Sequence, residues 1–351
     1  MQTVRKNNGI QILRGILFFG ITAFHFGLPG SQILWGGVET FFTLSSFFLT
    51  KKLLKIQPAQ ISIGREMIHR VARLYPVYFF VLLSSLWIVW QENHVIAARE
   101  FAAHSLFLQN YDWMITGYGS AFQSFTAHTW TLGIEIWLFL IWVIAFHFIK
   151  NFKGRALFNG SMIFLAVGYR IITTILVRDA MIISLFPLAH ADAFSIGSLM
   201  ALKEEYRRER NYTGKIWILM GSVLLVISIA VTAKVHGVPL HAGYDLYKSS
   251  ENYLNHWYTS NVYLYLSILS AGVISFFHRV RIPDWKCMNV LVLCGDYSYG
   301  AYMLHWPIRV LLLRSMNSSF VTAAAVGAVS IGISCLLEKI FMRQEKKKFI
   351  E

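Results

Sequence analysis

Ten long apolar stretches, almost bare of charge, dominate this chain of 351 residues. Each has roughly the 17–25 residues that an α-helix needs to cross a bilayer. In hydrocarbon a spanning segment must satisfy its own backbone N–H and C=O groups, and at this length an α-helix does so. The expected spans are residues 10–28, 33–50, 74–91, 128–149, 157–176, 181–202, 214–234, 258–278, 288–313 and 320–341. The expected fold is therefore all-α: a polytopic membrane protein with about ten transmembrane helices, multi-pass in the cell membrane, one domain over residues 1–351. Residues 95–110 are mildly apolar but carry Arg99, Glu100 and His104, and read as an interfacial or re-entrant stretch.

Composition agrees, because 56% hydrophobic with only 14% charged residues is too apolar for a soluble domain. A net charge of +14 would suit a nucleic-acid binder only if the basic residues formed a patch, and they do not. They fall in short loops. One set holds Arg5, Lys6, Lys51, Lys52, Lys55, Arg65, Arg70, Arg73, Lys150, Lys153, Arg155, Lys203, Arg207, Arg208, Arg210, Lys215, Arg279, Arg281, Lys286 and Arg343 to Lys348. The opposite set holds little beyond Arg99, Arg178, Lys234, Lys248 and Arg314. This asymmetry places both termini in the cytoplasm and the loops 92–127 and 235–257 outside. Arg14 interrupts the first apolar run and no small-residue cleavage pattern follows Gly30, so that run reads as a retained helix. Cys287, Cys294 and Cys335 lack metal or disulfide spacing and read as small apolar fillers, with no metal site.

Polar residues inside the spans are costly in hydrocarbon and so mark function. Arg14 and His25 are eleven residues apart, close to three helical turns, and share a face about 16 Å apart along the axis. His128 opens the fourth span in AHTWTLGIEIW, with Glu135 seven residues later, about 10 Å deeper on the same face. That carboxylate either orients a histidine base, His25 or His128, or neutralises a buried cation for stability. Arg70 and Arg73 stand one turn apart before Pro76; they grip phosphate or serve as ordinary cytoplasmic anchors. In GDYSYGAYMLHWPI, Tyr299, Tyr302 and His305 recur every three positions, and Pro307 leaves backbone groups that neighbours or water must satisfy. Asp192 lies among Ala191, Ala193 and Gly197, where a structural hydrogen bond competes equally with a catalytic role.

In order and spacing these strings resemble the integral-membrane acyltransferase family 3. The resemblance rests on Arg14 and His25, GVETFF with Glu39, Arg70-x-x-Arg73 before Tyr75-Pro76, HTWTLGIE, and SYGAYMLHWP. Departures are Ser46 for a glycine, Ile136 for a second glutamate, and His190-Ala191-Asp192 where the family has Arg-x-Asp. The resemblance implies an O-acyltransferase moving an acyl group, most commonly acetyl, from cytoplasmic acyl-CoA to a hydroxyl of an extracytoplasmic carbohydrate. It implies His25, Glu135 and His128 as catalytic residues, with Arg14, Arg70 and Arg73 holding the acetyl-CoA phosphates. Tyr299, Tyr302, His305 and Asp192 would line the substrate path. In the outward loops Trp113, Tyr118, Tyr244 and Trp257 are candidates for stacking on sugar, with interfacial anchoring the alternative for Trp257. Some members carry an extracytoplasmic esterase-like domain. The cytoplasmic tail RQEKKKFIE here leads to the expectation of no such fusion, with direct transfer or hand-over to separate glycan-assembly proteins.

Two other classes stay open on sequence. A proton-coupled secondary transporter also uses intramembrane Arg, His, Glu and Asp, although no similarity between halves supports it. A polysaccharide export subunit would not need His25 or Glu135.

Overall fold

The computed structural model describes residues 7–92, 98–207, 214–280, 282–283 and 285–348. Arg5, Lys6, Arg208, Arg210 and Arg281, counted above for orientation, lie outside these residues. No strand occurs among the described residues, and helices follow one another along the chain. They are α1 (Asn8–His25), α2 (Gly37–Leu53), α3 (Ile63–Gln91), α4 (Ala98–Ser105), α5 (Gln109–Thr116), α6 (Ala121–Thr126), α7 (Trp130–Phe148), α8 (Phe152–Leu176) and α9 (Ala180–Leu185). Then come α10 (Ala191–Arg207), α11 (Gly214–Val235), α12 (Leu240–Asp245), α13 (Glu251–Leu254), α14 (Val262–Arg279), α15 (Lys286–Asp296), α16 (Ser298–Leu312) and α17 (Phe320–Lys348).

Local chemistry sets several of the boundaries. Asn7 caps α1 by accepting from the Ile10 amide at 3.1 Å, and Asn151 and Asp179 cap α8 and α9 in the same way. Ser120 and Gln123 form a reciprocal capping box that starts α6. All ten expected segments are helical, but two are not single helices. Pro187 lacks an N–H and restricts Phe186 to extended backbone, which splits the expected 181–202 span into α9 and α10. Tyr297, at φ −97° and ψ 7°, separates α15 from α16 inside the expected 288–313 span. The loop 92–127 is largely helical, as α4, α5 and α6.

Among the described residues, six helical stretches are long and apolar enough to cross a membrane: Ile63–Gln91, Ala121–Phe148, Phe152–Leu176, Gly214–Val235, Val262–Arg279 and Phe320–Ile340. Their outward side chains, among them Leu157, Phe164, Leu176 and Val321, are more than 70% exposed, as a hydrocarbon-facing surface requires.

The chain divides into two compact units. The first comprises residues up to Ser31, Ile68–Trp130 and the chain from Val280 onward; within it α1 packs on α15, α16 and α17. Close approach sets that packing. A Cβ on Gly295 would lie 1.7 Å from the Gln11 carbonyl oxygen, and one on Gly15 would lie 3.0 Å from the Leu291 carbonyl. Gly295→Ala is therefore expected to push α1 off α15 and to cost about 1–3 kcal/mol of stability. Gly332→Ala, on α17 with no atom within 4 Å of the added carbon, is the matched control. Thermal unfolding of the two variants in detergent checks this; equal stability would show that α15 yields without cost. Cys294 packs in the same seam, as a filler should, whereas Cys287 is exposed and fills nothing.

The second unit comprises Gln32–Met67 and Thr131–Arg279, with α10 packed against α2, α8 and α14, and α11 against α14. Gly197 of α10 meets the Thr43 carbonyl of α2 so closely that a Cβ would sit 2.1 Å from it. The small residues around Asp192 thus serve close helix approach.

Candidate active site

The first unit gathers three imidazoles. His25, half-buried at the C-terminal end of α1, stacks on the fully buried His305 of α16 with ring centroids 5.0 Å apart. His128, buried just before α7, has its ring centroid 5.6 Å from that of His305. Trp306 meets His25 edge-to-face at 4.7 Å and donates its indole N–H to the Ser124 carbonyl of α6 at 2.8 Å.

The hydrogen bonds assign the protons. A carbonyl oxygen only accepts, so His305 Nδ1, 2.5 Å from the Tyr302 carbonyl, carries a hydrogen. In a neutral ring His305 Nε2 is then the acceptor, and it lies 2.7 Å from His25 Nδ1. His25 Nδ1 donates, which leaves the basic lone pair on His25 Nε2. This is the arrangement of a general base whose second nitrogen is held by a fixed acceptor. Here the acceptor is another imidazole where a carboxylate is more familiar.

Pro307 has a direct part in the geometry. Having no N–H, it cannot bond the carbonyl four residues back, which is that of Met303. His128 Nε2 lies 2.9 Å from that oxygen and donates to it. The proline inside α16 thus frees a backbone acceptor that fixes the His128 ring, the neighbour satisfaction that the sequence required.

The rest of α16 ties the other expected residues to this centre. Arg14 Nε donates to Ser298 Oγ at 3.2 Å, and the Tyr299 hydroxyl donates to the Leu74 carbonyl, next to Arg73, at 2.8 Å. The Tyr302 hydroxyl donates to the His128 carbonyl at 3.3 Å. Arg14 meets Ser298 and His25 meets His305, so α1 and α16 run in the same direction, with Arg14 at one end of the shared face and the imidazoles at the other. Arg70 is half-buried and Arg73 exposed on α3, one turn apart. Both tyrosine hydroxyls brace backbone.

Two expected site residues belong to the second unit. Glu135 lies half-buried on α7, two turns beyond His128. Asp192 is fully buried, and both its oxygens are engaged: one accepts from Arg170 Nη2 at 2.7 Å, the other from the Ala193 amide at 3.0 Å. Arg170 also donates to Asn261 and to the Ala189 carbonyl. This favours the structural reading of Asp192. His190, which stands where the family has arginine, instead pairs with Glu39 at 2.6 Å, and Asp192 takes its guanidinium from α8. Among the sugar-stacking candidates, Trp113 is 0% exposed and packs edge-on against His104 and Tyr118, so it cannot stack on a ligand. Its neighbour His104 is pushed down to about 4 by burial and stays neutral. Tyr118 and Trp257 are exposed.

Sequence reasoning missed two arginines. Arg170 is a lone cation in an apolar span, the same signal that singled out Arg14. Arg309 stands four residues after His305, on the same helical face. Among the described residues no group of three or more His, Cys, Asp or Glu is placed to hold a metal.

A sequence profile described as an acyltransferase domain, acyltransferase 3, matches residues 7–339. The O-acetyltransferase OatA of Staphylococcus aureus is 20% identical over 100% of this chain and 57% of its own length. The putative peptidoglycan O-acetyltransferase YrhL of Bacillus subtilis is 23% identical over 86% of this chain and 48% of its own length. The chain thus spans about half the length of the curated relatives it matches. No solved structure matches it.

Proposed function

Because this chain belongs to the acyltransferase 3 family, we infer that it transfers an acetyl group from cytoplasmic acetyl-CoA to a hydroxyl of a carbohydrate beyond the membrane. The observation that carries the reading is the hydrogen-bond relay from the Tyr302 carbonyl through His305 to His25. Both relatives are named as O-acetyltransferases, which supports acetyl as the group moved.

In this reading the orientation has both termini in the cytoplasm, so the Arg14 end of α1 faces the donor. Arg14, Arg70 and Arg73 hold the CoA phosphates, where planar guanidiniums bind oxyanions bidentately. The thioester reaches along the face shared by α1 and α16 toward His25. His25 Nε2 takes the proton of the acceptor hydroxyl as its oxygen bonds the thioester carbon. The C–S bond then breaks, and the thiolate leaves with the proton from His25. His305, accepting from His25 Nδ1 throughout, steadies the imidazolium that forms between these steps.

The test uses membranes containing the protein, labelled acetyl-CoA and cell-envelope glycan. Thiol release together with label on glycan is the expected result; transport of a solute without thiol release would replace the reading with a transporter. Arg70→Ala is expected to raise the KM for acetyl-CoA roughly 10-fold to 100-fold, the size of a lost charged hydrogen bond. Arg70→Lys should recover little, because the fork geometry is lost. An unchanged KM in Arg70→Ala moves the donor site elsewhere.

A further inference from the structure

One positive charge at this centre has no assigned task. Arg309 follows His305 by one turn of α16, about 6 Å further along the axis. Its guanidinium lies over the Trp306 ring, 4.8 Å from the centroid, and 5.6 Å from that of Phe26, the residue after His25. Among the described residues it makes no ion pair, and its Nε is buried without a hydrogen-bond partner. It is close enough to His25 and His305 to interact with both electrostatically.

A half-buried cation without a counter-charge is costly unless something completes it. The aromatic faces hold the guanidinium flat and leave its N–H edges for a ligand, the geometry in which arginine grips carboxylate or phosphate. Its position says which ligand. Arg14 lies about 16 Å before His25 along α1, and α16 runs in the same direction, so Arg309 lies past the imidazoles on the side away from Arg14. Donor phosphates held at the Arg14 end do not account for a cation there.

We propose that Arg309 is an anion subsite for the acceptor: the glycan acetylated here carries a carboxylate or phosphate that docks on Arg309 and presents its hydroxyl to His25. This rests on the acetyl-transfer reading and specifies its substrate class as an anionic glycan. Arg309 makes the acceptor's charge a condition of binding, so its effect is on acceptor KM, while His25 governs turnover.

The experiment uses the full chain in lipid nanodiscs and three matched probes: the methyl glycosides of glucuronic acid, of glucose 6-phosphate and of glucose. Binding is read by tryptophan fluorescence without donor, and transfer by label from acetyl-CoA. The parent protein should bind the charged probes roughly 10-fold to 100-fold more tightly than the neutral one. The stronger of the two charged probes identifies the natural group as carboxylate or phosphate. Arg309→Gln should erase that preference and leave neutral-probe binding unchanged. Arg309→Lys should keep part of it, and Arg309→Met, which also removes the charge, stands in for Arg309→Gln if the latter does not fold. No preference in the parent, or a preference that survives Arg309→Gln, overturns the subsite. If the parent releases no thiol from acetyl-CoA with any probe or with envelope glycan, the acetyl-transfer reading fails, and the binding comparison still decides Arg309.

Discussion

His25→Ala should lower the proposed acetyl-CoA-dependent glycan acetylation by about 10²-fold to 10⁴-fold, the usual contribution of a positioned general base. Donor affinity should stay near the parent value, since the proposed phosphate site is at the other end of α1. His305→Ala should reduce the same rate by less, because it leaves the base present but releases its tautomer: the acceptor for His25 Nδ1, 2.7 Å away, is gone. The pair separates base from brace. Full acetylation by His25→Ala, in membranes where the protein is shown to be inserted, would remove His25 from the reaction. Equal damage from both variants, with donor KM raised in each, would point to a collapse of the α1–α16 face.

The second large effect is structural and lies in the other unit. Arg170 and Asp192 are both 0% exposed and pair at 2.7 Å. Removing one partner strands the other charge, so Asp192→Ala should cost about 3–5 kcal/mol. The double variant Asp192→Ala with Arg170→Met should be more stable than Asp192→Ala alone, because no unpaired charge remains. Retention of a monodisperse peak after heating in detergent reads both. If the double variant is worse than the single, Arg170 is held by Asn261 and the Ala189 carbonyl independently of Asp192. The same experiment tests Asp192 as a substrate ligand: a binding role would damage acceptor KM in protein that is otherwise stable.

Much of this was legible along the chain. Eleven residues separate Arg14 from His25, and α1 does carry both toward α16. The two arginines of α3 are one turn apart, as the spacing required. Pro307 announced a backbone acceptor in need of a partner, and His128 is that partner for the Met303 carbonyl. The interruption of the sixth span was not read from the sequence, although its cause stands there: Pro187 cannot donate, and Phe186 before it is driven to extended backbone. Trp113 differs from the expectation because an aromatic in a polar loop looks the same whether it faces a ligand or packs against His104 and Tyr118. Only packing distinguishes them.

The sequence by itself determined the helices, their membrane-compatible apolarity and the inventory of charged and titratable groups, because period, length and residue type act locally along the chain. Which of those groups meet was decided by tertiary structure alone. His25 and His305 are 280 residues apart, and their contact depends on how deeply α1 seats on α15. That depth is set by Gly15 and Gly295 against opposing backbone carbonyls, to within fractions of an ångström. Glu39 with His190 follows the same logic, through Gly197 of α10 seated against the Thr43 carbonyl of α2. Helix formation is a nearest-neighbour property. The register between helices is fixed by close packing of residues remote in the chain, and one sequence carries no direct record of it.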